Sequence, residues 1–444
     1  MRNNKVIMPL FLIFILFGSV FFAISNRQDA FEKYNNALEA ARNYAEKGVY
    51  LDAITEYKTA ISQSPSVEIS YEAGLVILES GDVYSARSWY KSMLAQYPTE
   101  PKTYLYGIVV YNTEQQYSAA FEVYDSYQSR GLFDPEVEQV VDEFRYAYKL
   151  TNRFDDVAPY SNVAGLAAVK YQGAWGYANQ SGEKKIGYLY EKAGTFSEFA
   201  PVVDMEGNAY YIDTSGNIKI TEDFILEKDP DFGCVREFGP YQGNAIWAYN
   251  GSIWNAYDIY SFEKLCGGYS DALPFSNEVA AVSNGEKWAL ISQTGALITE
   301  HIYDEVLSDG KQNISRANAL VVRIDDSYFL IDRNGNRISE DSYSDACAFY
   351  DNSFAAVMRN DKWCFVDETG AVVLETDYES ATSFSAGFAA VKKNGKWGYI
   401  GLDGEKIIDF CFDDAEPFSL YGNAFVYTED GHWKILKLYM YNHD

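Results

Sequence analysis

Histidine is almost absent from this chain of 444 residues: there are three, His301, His432 and His443, far apart in sequence. No histidine-based metal cluster can be built from that spacing. Cysteine is also sparse. Cys234, Cys266, Cys347, Cys364 and Cys411 are odd in number and none is C-x-x-C spaced, which argues against a disulfide framework or a zinc site. They read as small core residues. Positive charge is short as well, with 36 Lys and Arg against 64 Asp and Glu, a net charge of −28. A chain this acidic repels phosphate backbones, so nucleic acid is excluded as a partner class. No G-x-S-x-G elbow, P-loop or H-E-x-x-H is present. The sequence therefore nominates no catalytic, cofactor-binding or metal-ligating residue, and it reads as a non-enzyme without a cofactor. "DRNGNRISE" (332–340) has the look of a calcium loop through Asp332, Asn334 and Asn336. However, Gly335 falls at the fourth position and Tyr343 at the twelfth, where an EF-hand needs glycine at the sixth and glutamate at the twelfth. Parallel segments "DTSGN" (213–217) and "DETGA" (367–371) mark it as a recurring turn.

What the chain does have is apolar and aromatic mass: 48% hydrophobic residues, with 38 Tyr and 27 Phe. That excludes wholesale disorder and points to many short strands. One uncharged apolar run, Val6 to Ile24, follows Arg2 and Lys5. Nineteen helical residues span about 28 Å, close to the roughly 30 Å hydrocarbon core. Pro9 falls in the first turn, where it is tolerated. A cleaved signal peptide and an uncleaved anchor compete for this segment. The run's length and the lack of a small-x-small site in Phe21-Phe22-Ala23-Ile24-Ser25 favour the anchor. Positive charge before the run then places the N-terminus inside, making the protein a single-pass cell-membrane protein with its large C-terminal region outside the cytoplasm.

From residue 29 to 150 the apolar spacing is helical. "ALEAARNYAEKGVYLDAITEYKTAISQSP" carries Ala41, Tyr44, Gly48, Tyr50, Ala53, Tyr57, Ala60 and Pro65, with gaps of three and four residues. Gly48 supplies a turn and Pro65 a stop. This resembles a tetratricopeptide repeat, a 34-residue helix-turn-helix. A second copy carries Gly74, Gly81, Ala86, Tyr90 and Pro98, and a looser third carries Gly107, Tyr111, Ala120, Tyr124 and Tyr127. "PEVEQVVDEFRYAYKL" (135–150) reads as a capping helix. The resemblance implies a stack that binds proteins or peptides; a plain spacer is the other reading.

From residue 151 to 444 a different unit repeats. "FDDVAPYS" (154–161) returns as "YSDALPFS" (269–276), "YSDACAFY" (343–350), "YESATSFS" (378–385) and "FDDAEPFS" (412–419). Each precedes a stretch such as "GFAAVK" (387–392), and most then a tryptophan strand such as "GKWGYI" (395–400) and a turn such as "LDGE" (402–405). Anchored on Trp175, Tyr210, Trp254, Trp288, Tyr328, Trp363, Trp397 and Trp433, eight units are spaced 35, 44, 34, 40, 35, 34 and 36 residues apart. Alternation should send Ala, Val and Trp to one face and Lys, Asn and Asp to the other. The tryptophan should be a wedge covered by neighbouring units, and the glycine after it a place of close backbone approach or a bulge. The array resembles the bacterial WG (KWG) repeat family.

The expected fold is thus multidomain, α plus all-β: a transmembrane anchor (1–28), a tetratricopeptide-like stack (29–150) and an eight-unit β array (151–444). The array is expected as a β-propeller, because closure protects sheet edges, with an open solenoid-like stack as the alternative. The expected function is an extracytoplasmic scaffold for protein or peptide partners. Cell-wall polysaccharide, stacked on exposed Tyr and Trp, is the alternative ligand.

Overall fold

The computed structural model describes residues 28–441 except 162, 311–312, 316 and 351–353. The chain divides into a helical unit ending at Ala147 and a β unit, Tyr148–Tyr441.

The helical unit begins with α1 (residues 28–46). It continues with α2 (Tyr50–Gln63), α3 (Val67–Glu79), α4 (Val83–Gln96), α5 (Pro101–Thr113), α6 (Tyr117–Ser129) and α7 (Pro135–Asp142). The small residues picked out by the spacing are buried: Ala41, Ala53, Ala60, Ala86 and Ala120 are fully enclosed. The hairpin turns need the left-handed backbone region. Gly48 (φ +70°) and Gly81 (φ +78°) supply it, while the third turn uses Gln115 at φ +56°. Gly74 and Gly107 serve a different purpose, close helix contact. A Cβ on Gly107 would lie 2.5 Å from the Tyr90 ring, and one on Gly74 2.6 Å from the Tyr106 ring. Gly107→Ala is therefore expected to destabilise the helical unit by about 1–2 kcal/mol. Overpacking of about 1–3 kcal/mol outweighs the gain of about 1 kcal/mol in helix propensity. Urea unfolding followed by helical circular dichroism reads this directly, and a stabilised variant would refute the contact.

Three expectations about the chain's organisation are corrected. First, Val6–Ile24 lies outside the described residues, and among the described residues no helix is long and apolar enough to cross a membrane. The single-pass placement, and with it the membrane as a partner, finds no support in the structure. Second, the capping helix is shorter than 135–150. It ends at Asp142, and Tyr148–Phe154 is a strand. Helical spacing carries the buried Val137, Val141 and Phe144 and ends there, and the strand that follows is held by its pairing with His432–Leu438.

Third, the strands form neither a propeller of eight equal units nor a closed barrel. Among the described residues they make seven sheets, one of seven strands, four of four and two of three. The ten-residue strand Lys184–Ala193 pairs with Ala174–Asn179 on one side and Ala200–Asp204 on the other. This welds the first two copies into one sheet. The open stack is overturned too, because Tyr148–Phe154 pairs with the last strand, His432–Leu438, in the register Tyr148↔Leu438 to Thr151↔Ile435.

The expected one-sided alternation also fails, for an instructive reason. The Ala-Ala-Val strands are buried on both faces: in Leu166–Tyr171 the first four residues are all buried. Leu166 and Ala168 belong to one core with Tyr177 and Val202. Ala167 and Val169 belong to another with Phe425 and Ile435. A sheet packed on both sides needs an apolar run, and alanine keeps it thin. The repeat's tryptophan is mostly not the enclosed residue. Trp363 is 4% exposed, but Trp175, Trp254, Trp288, Trp397 and Trp433 are only half-buried. The fully buried position is two residues on, at Tyr177, Ile212, Ala256, Leu290, Leu330, Phe365, Tyr399 and Ile435. The glycine of the WG pair behaves as read. A Cβ on Gly176 or Gly398 would lie 2.6 Å from a carbonyl oxygen of the next strand. Strand register shifts at both places. Of the five cysteines only Cys364 is buried, and Cys411 is exposed, so the reading of all five as core residues is corrected.

Candidate binding surfaces

Among the described residues, one concave surface of the helical unit and two of the β unit bring together residues of several elements. In the helical unit a groove of about 780 Å³ runs between α2 and α4. Ile54, Ile77 and Trp89 form its floor, and Ser85, Ser88 and Ser92 of α4 one wall. Leu51 at its rim is 82% exposed, which gives the groove a hydrophobic lip beside its apolar floor.

In the β unit a cleft of about 320 Å³ is lined by Trp175, Pro201, Phe238 and Pro240. Lys192 Nζ and Glu237 Oε2 pair at 2.6 Å among its lining residues. The two side chains come from strands of different sheets.

Close by, loops from different copies converge on a small pocket of about 40 Å³ lined by Tyr160, Asp309, Tyr350, Ser385 and Glu416. These are the loops that the "PYS", "AFY", "SFS" and "PFS" segments form. Their serines tie one copy to the next. Ser276 Oγ donates to the Ser315 carbonyl (2.7 Å), and Ser385 Oγ to the Phe418 carbonyl (2.7 Å). The buried tyrosines add to this: the hydroxyls of Tyr177 and Tyr399 donate to the carbonyls of Gly194 and Glu416, each at 2.8 Å. Asp309 Oδ1 accepts from the Asn313 amide (2.8 Å). Burial pushes the half-buried Glu416 carboxyl up to about 7, with Asp414 and Asp156 adding to the shift. Burial likewise raises the Tyr350 hydroxyl, with Cys347, Glu416 and Asp309 contributing. The pocket is of the order of one water molecule's share of liquid, roughly 30 Å³. It can hold and exchange protons but is too small for an organic substrate.

None of these residues was nominated from the sequence. A signal existed for one of them. The fifth residue of the recurring segment is Ala158, Leu273, Cys347, Thr382 and Glu416 in turn, so Glu416 is the one ionisable carboxyl at that position.

The raised Glu416 value makes a pH prediction. The native state binds this proton more tightly than the unfolded chain, whose ordinary value is 4.5. Stability should therefore be greatest below about 4.5 as far as this group is concerned, and fall as pH rises through about 7. Glu416→Gln should remove that slope and stabilise the β unit by about 3–4 kcal/mol at pH 8, given about 1.4 kcal/mol per pK unit. Denaturant midpoints of both proteins from pH 5 to pH 8 test it, and parallel pH profiles would refute it.

The calcium-like segments are turns. Asp213 Oδ1 accepts from the amides of Ser215 and Asn217 (2.9 Å each), Asp332 Oδ1 from Asn334 and Asn336 (2.8 Å each), and Asp367 Oδ1 from Thr369 and Ala371 (2.9 and 3.0 Å). Among the described residues no group of three or more His, Cys, Asp or Glu is placed to hold a metal ion.

No curated protein matches the chain. Among solved structures, the computationally designed Ika8 protein is similar at 11% identity and a TM-score of 0.42, covering 64% of this chain and 96% of that one. A eukaryotic initiation factor is similar at 12% identity and 0.42, covering 66% and 86%. PorZ, a bacterial surface component of the type-IX secretion system of Porphyromonas gingivalis, is similar at 8% identity and 0.36, covering 63% and 42%. The family model of the WG-containing repeat matches residues 175–203, 268–288, 328–363, 365–397 and 397–433. The matched segments begin or end on Trp175, Trp288, Tyr328, Trp363, Trp397 and Trp433. Two stretches within this span, 204–267 and 289–327, are unmatched, and the first holds the helix Glu222–Lys228, an insertion that stretches the spacing to 44 residues. WG-containing β repeats therefore run across residues 175–433 of this chain.

Proposed function

We propose that this protein is a scaffold that binds other proteins through its repeat surfaces, without catalysing a reaction. The observation that carries the reading is the groove of about 780 Å³ between α2 and α4, with Ile54, Ile77 and Trp89 in its lining and the exposed Leu51 at its rim. The resemblance of the helical unit to tetratricopeptide hairpins supports it, since such hairpins serve protein binding. The net charge of −28 favours basic partners and disfavours nucleic acid. A second reading, glycan binding, is favoured by the cleft in which Trp175 lies among the same lining residues as the Lys192–Glu237 pair. An aromatic ring beside charged hydrogen-bonding groups suits a sugar's apolar face and hydroxyls.

The test is a capture experiment on the full chain. Immobilised protein is offered host extract and, separately, purified cell-wall polysaccharide. The scaffold reading expects a protein retained saturably and in stoichiometric amount, with no saturable polysaccharide binding. Saturable polysaccharide binding with no protein retained would replace it with the glycan reading.

A further inference from the structure

The loop pocket around Glu416 is closed by a segment with a slender hold on its neighbours. Residues 412–419 carry a strand of two residues, Asp414–Ala415, paired with Tyr427 and Val426 of the strand Asn423–Thr428. The amides of Asp413, Glu416 and Ser419 donate to the carbonyls of Tyr427, Phe425 and Asn423 (2.9, 2.8 and 2.7 Å). Together with the Tyr399 hydroxyl on the Glu416 carbonyl, these bonds fix the main chain on both sides of that residue. Phe418 packs on Phe388 and Tyr399, with ring centroids 4.5 and 4.7 Å apart. Inside the pocket the Glu416 carboxyl finds no compensation. None of the lining residues is basic. Burial, Asp414 and Asp156 all disfavour its charge, and neither a hydrogen bond nor a cation favours it. The other ionisable groups at the pocket are Asp309, bonded through both oxygens to the Asn313 side chain (3.1 and 2.9 Å), and the hydroxyls of Tyr160 and Tyr350. Burial raises both hydroxyls, so they stay neutral beside it. A neutral Glu416 suits this pocket. An ionised one is an unpaired charge taken out of water, and movement of the segment returns it to water.

We propose that residues 412–419 form a pH-operated latch on the β unit, closed over the loop pocket while Glu416 is protonated and released from Asn423–Thr428 when it ionises. Release takes the Phe418 ring off Phe388 and Tyr399 and uncovers an apolar surface where loops of several copies meet, while the longer strands stay paired. The two-residue strand is the part that yields, because local opening follows the segments with the fewest bonds to break. The closed state holds the proton more tightly than the open one, whose value is the ordinary 4.5. Closure is therefore strongest below about 4.5, weakens as pH rises, and levels off above about 7. The inference goes beyond the scaffold reading and does not depend on what the repeat surfaces bind.

Amide hydrogen exchange on the full chain, corrected for the intrinsic effect of pH on exchange, reads the latch at the amides of Asp413, Glu416 and Ser419. Their opening should rise about tenfold between pH 6 and pH 8, as values of 4.5 and about 7 for the two states require. At pH 8 they should exchange at least about tenfold faster than the amides of Phe388–Lys393, which marks a local opening instead of unfolding of the whole β unit. In Glu416→Gln the rise with pH should vanish and the segment stay protected at pH 8. The unaltered chain supplies a second measurement, the titration of the Glu416 carboxyl carbon by nuclear magnetic resonance, expected near pH 7. Titration at the ordinary 4.5 overturns the latch, and so does an equal pH dependence in Glu416→Gln. Exchange of the segment no faster than that of Phe388–Lys393 overturns it as well, and in that case the pH dependence of stability stands while the opening is global.

Discussion

A chain ending at Glu416 is expected to lose the fold of its first β copy along with its last. The truncation removes the strands Asn423–Thr428 and His432–Leu438. The second of these is the pairing partner of Tyr148–Phe154, the strand that opens the β unit. It also removes Phe425, whose ring stacks on that of Tyr160 at 4.9 Å, and Ile435, which shares a core with Ala167, Val169 and Ala178. The Asn423 side chain, which donates to the Gln180 carbonyl at 3.0 Å, goes as well. Loss of a ladder at about 0.5–1.5 kcal/mol per hydrogen bond, with two buried side chains at about 1.5–3 kcal/mol each, is comparable to a whole domain's stability of about 5–15 kcal/mol. Amide hydrogen exchange on the truncated protein should show protection lost in Leu166–Tyr171 as fully as in Phe388–Lys393. Loss confined to the latter strand would mean that the pairing of the two ends contributes nothing to stability.

Trp363→Ala should cost about 3–5 kcal/mol, the usual range for a large aromatic removed from a core. Its ring is 4% exposed and packs with Phe365, Phe384 and Val391. Trp397→Ala should cost about half as much. That ring is half-buried, and Lys392 lies over it, with its Nζ 5.9 Å from the ring centroid. From the repeat alone the two tryptophans are equivalent, and equal effects would be expected. Guanidinium unfolding of the two variants, monitored by far-ultraviolet dichroism, measures the difference. Equal losses would show that the repeat position, rather than burial, sets the tryptophan's contribution.

The sequence carried the helical hairpins well. The turns at Gly48 and Gly81, the buried alanines and the stop near Pro65 depend on local backbone preferences and on a period of three to four residues, and both can be read along the chain. Tyr148–Leu150 was read as helix because a strand whose partner lies nearly 300 residues away leaves little local trace. The two candidate β architectures failed for the same kind of reason. Whether copies are separate or fused depends on how far one strand, Lys184–Ala193, continues past its first partner. Candidate site residues were the least legible. Glu416 departs from its repeat in a visible way, but its raised protonation value comes from burial and from Asp156, which lies far away in sequence.

By itself, then, the sequence determined the change from helical to β repeats and the close approach at the WG glycines, because each of these is set by residues near one another in the chain. The tertiary structure decided which ring of the repeat is enclosed, how many copies share a sheet, that the first strand completes the last sheet, and where the loops converge around Glu416. Those outcomes depend on which copies become neighbours in space. A repeating sequence presents nearly the same surface at every copy, and only packing distinguishes one from another.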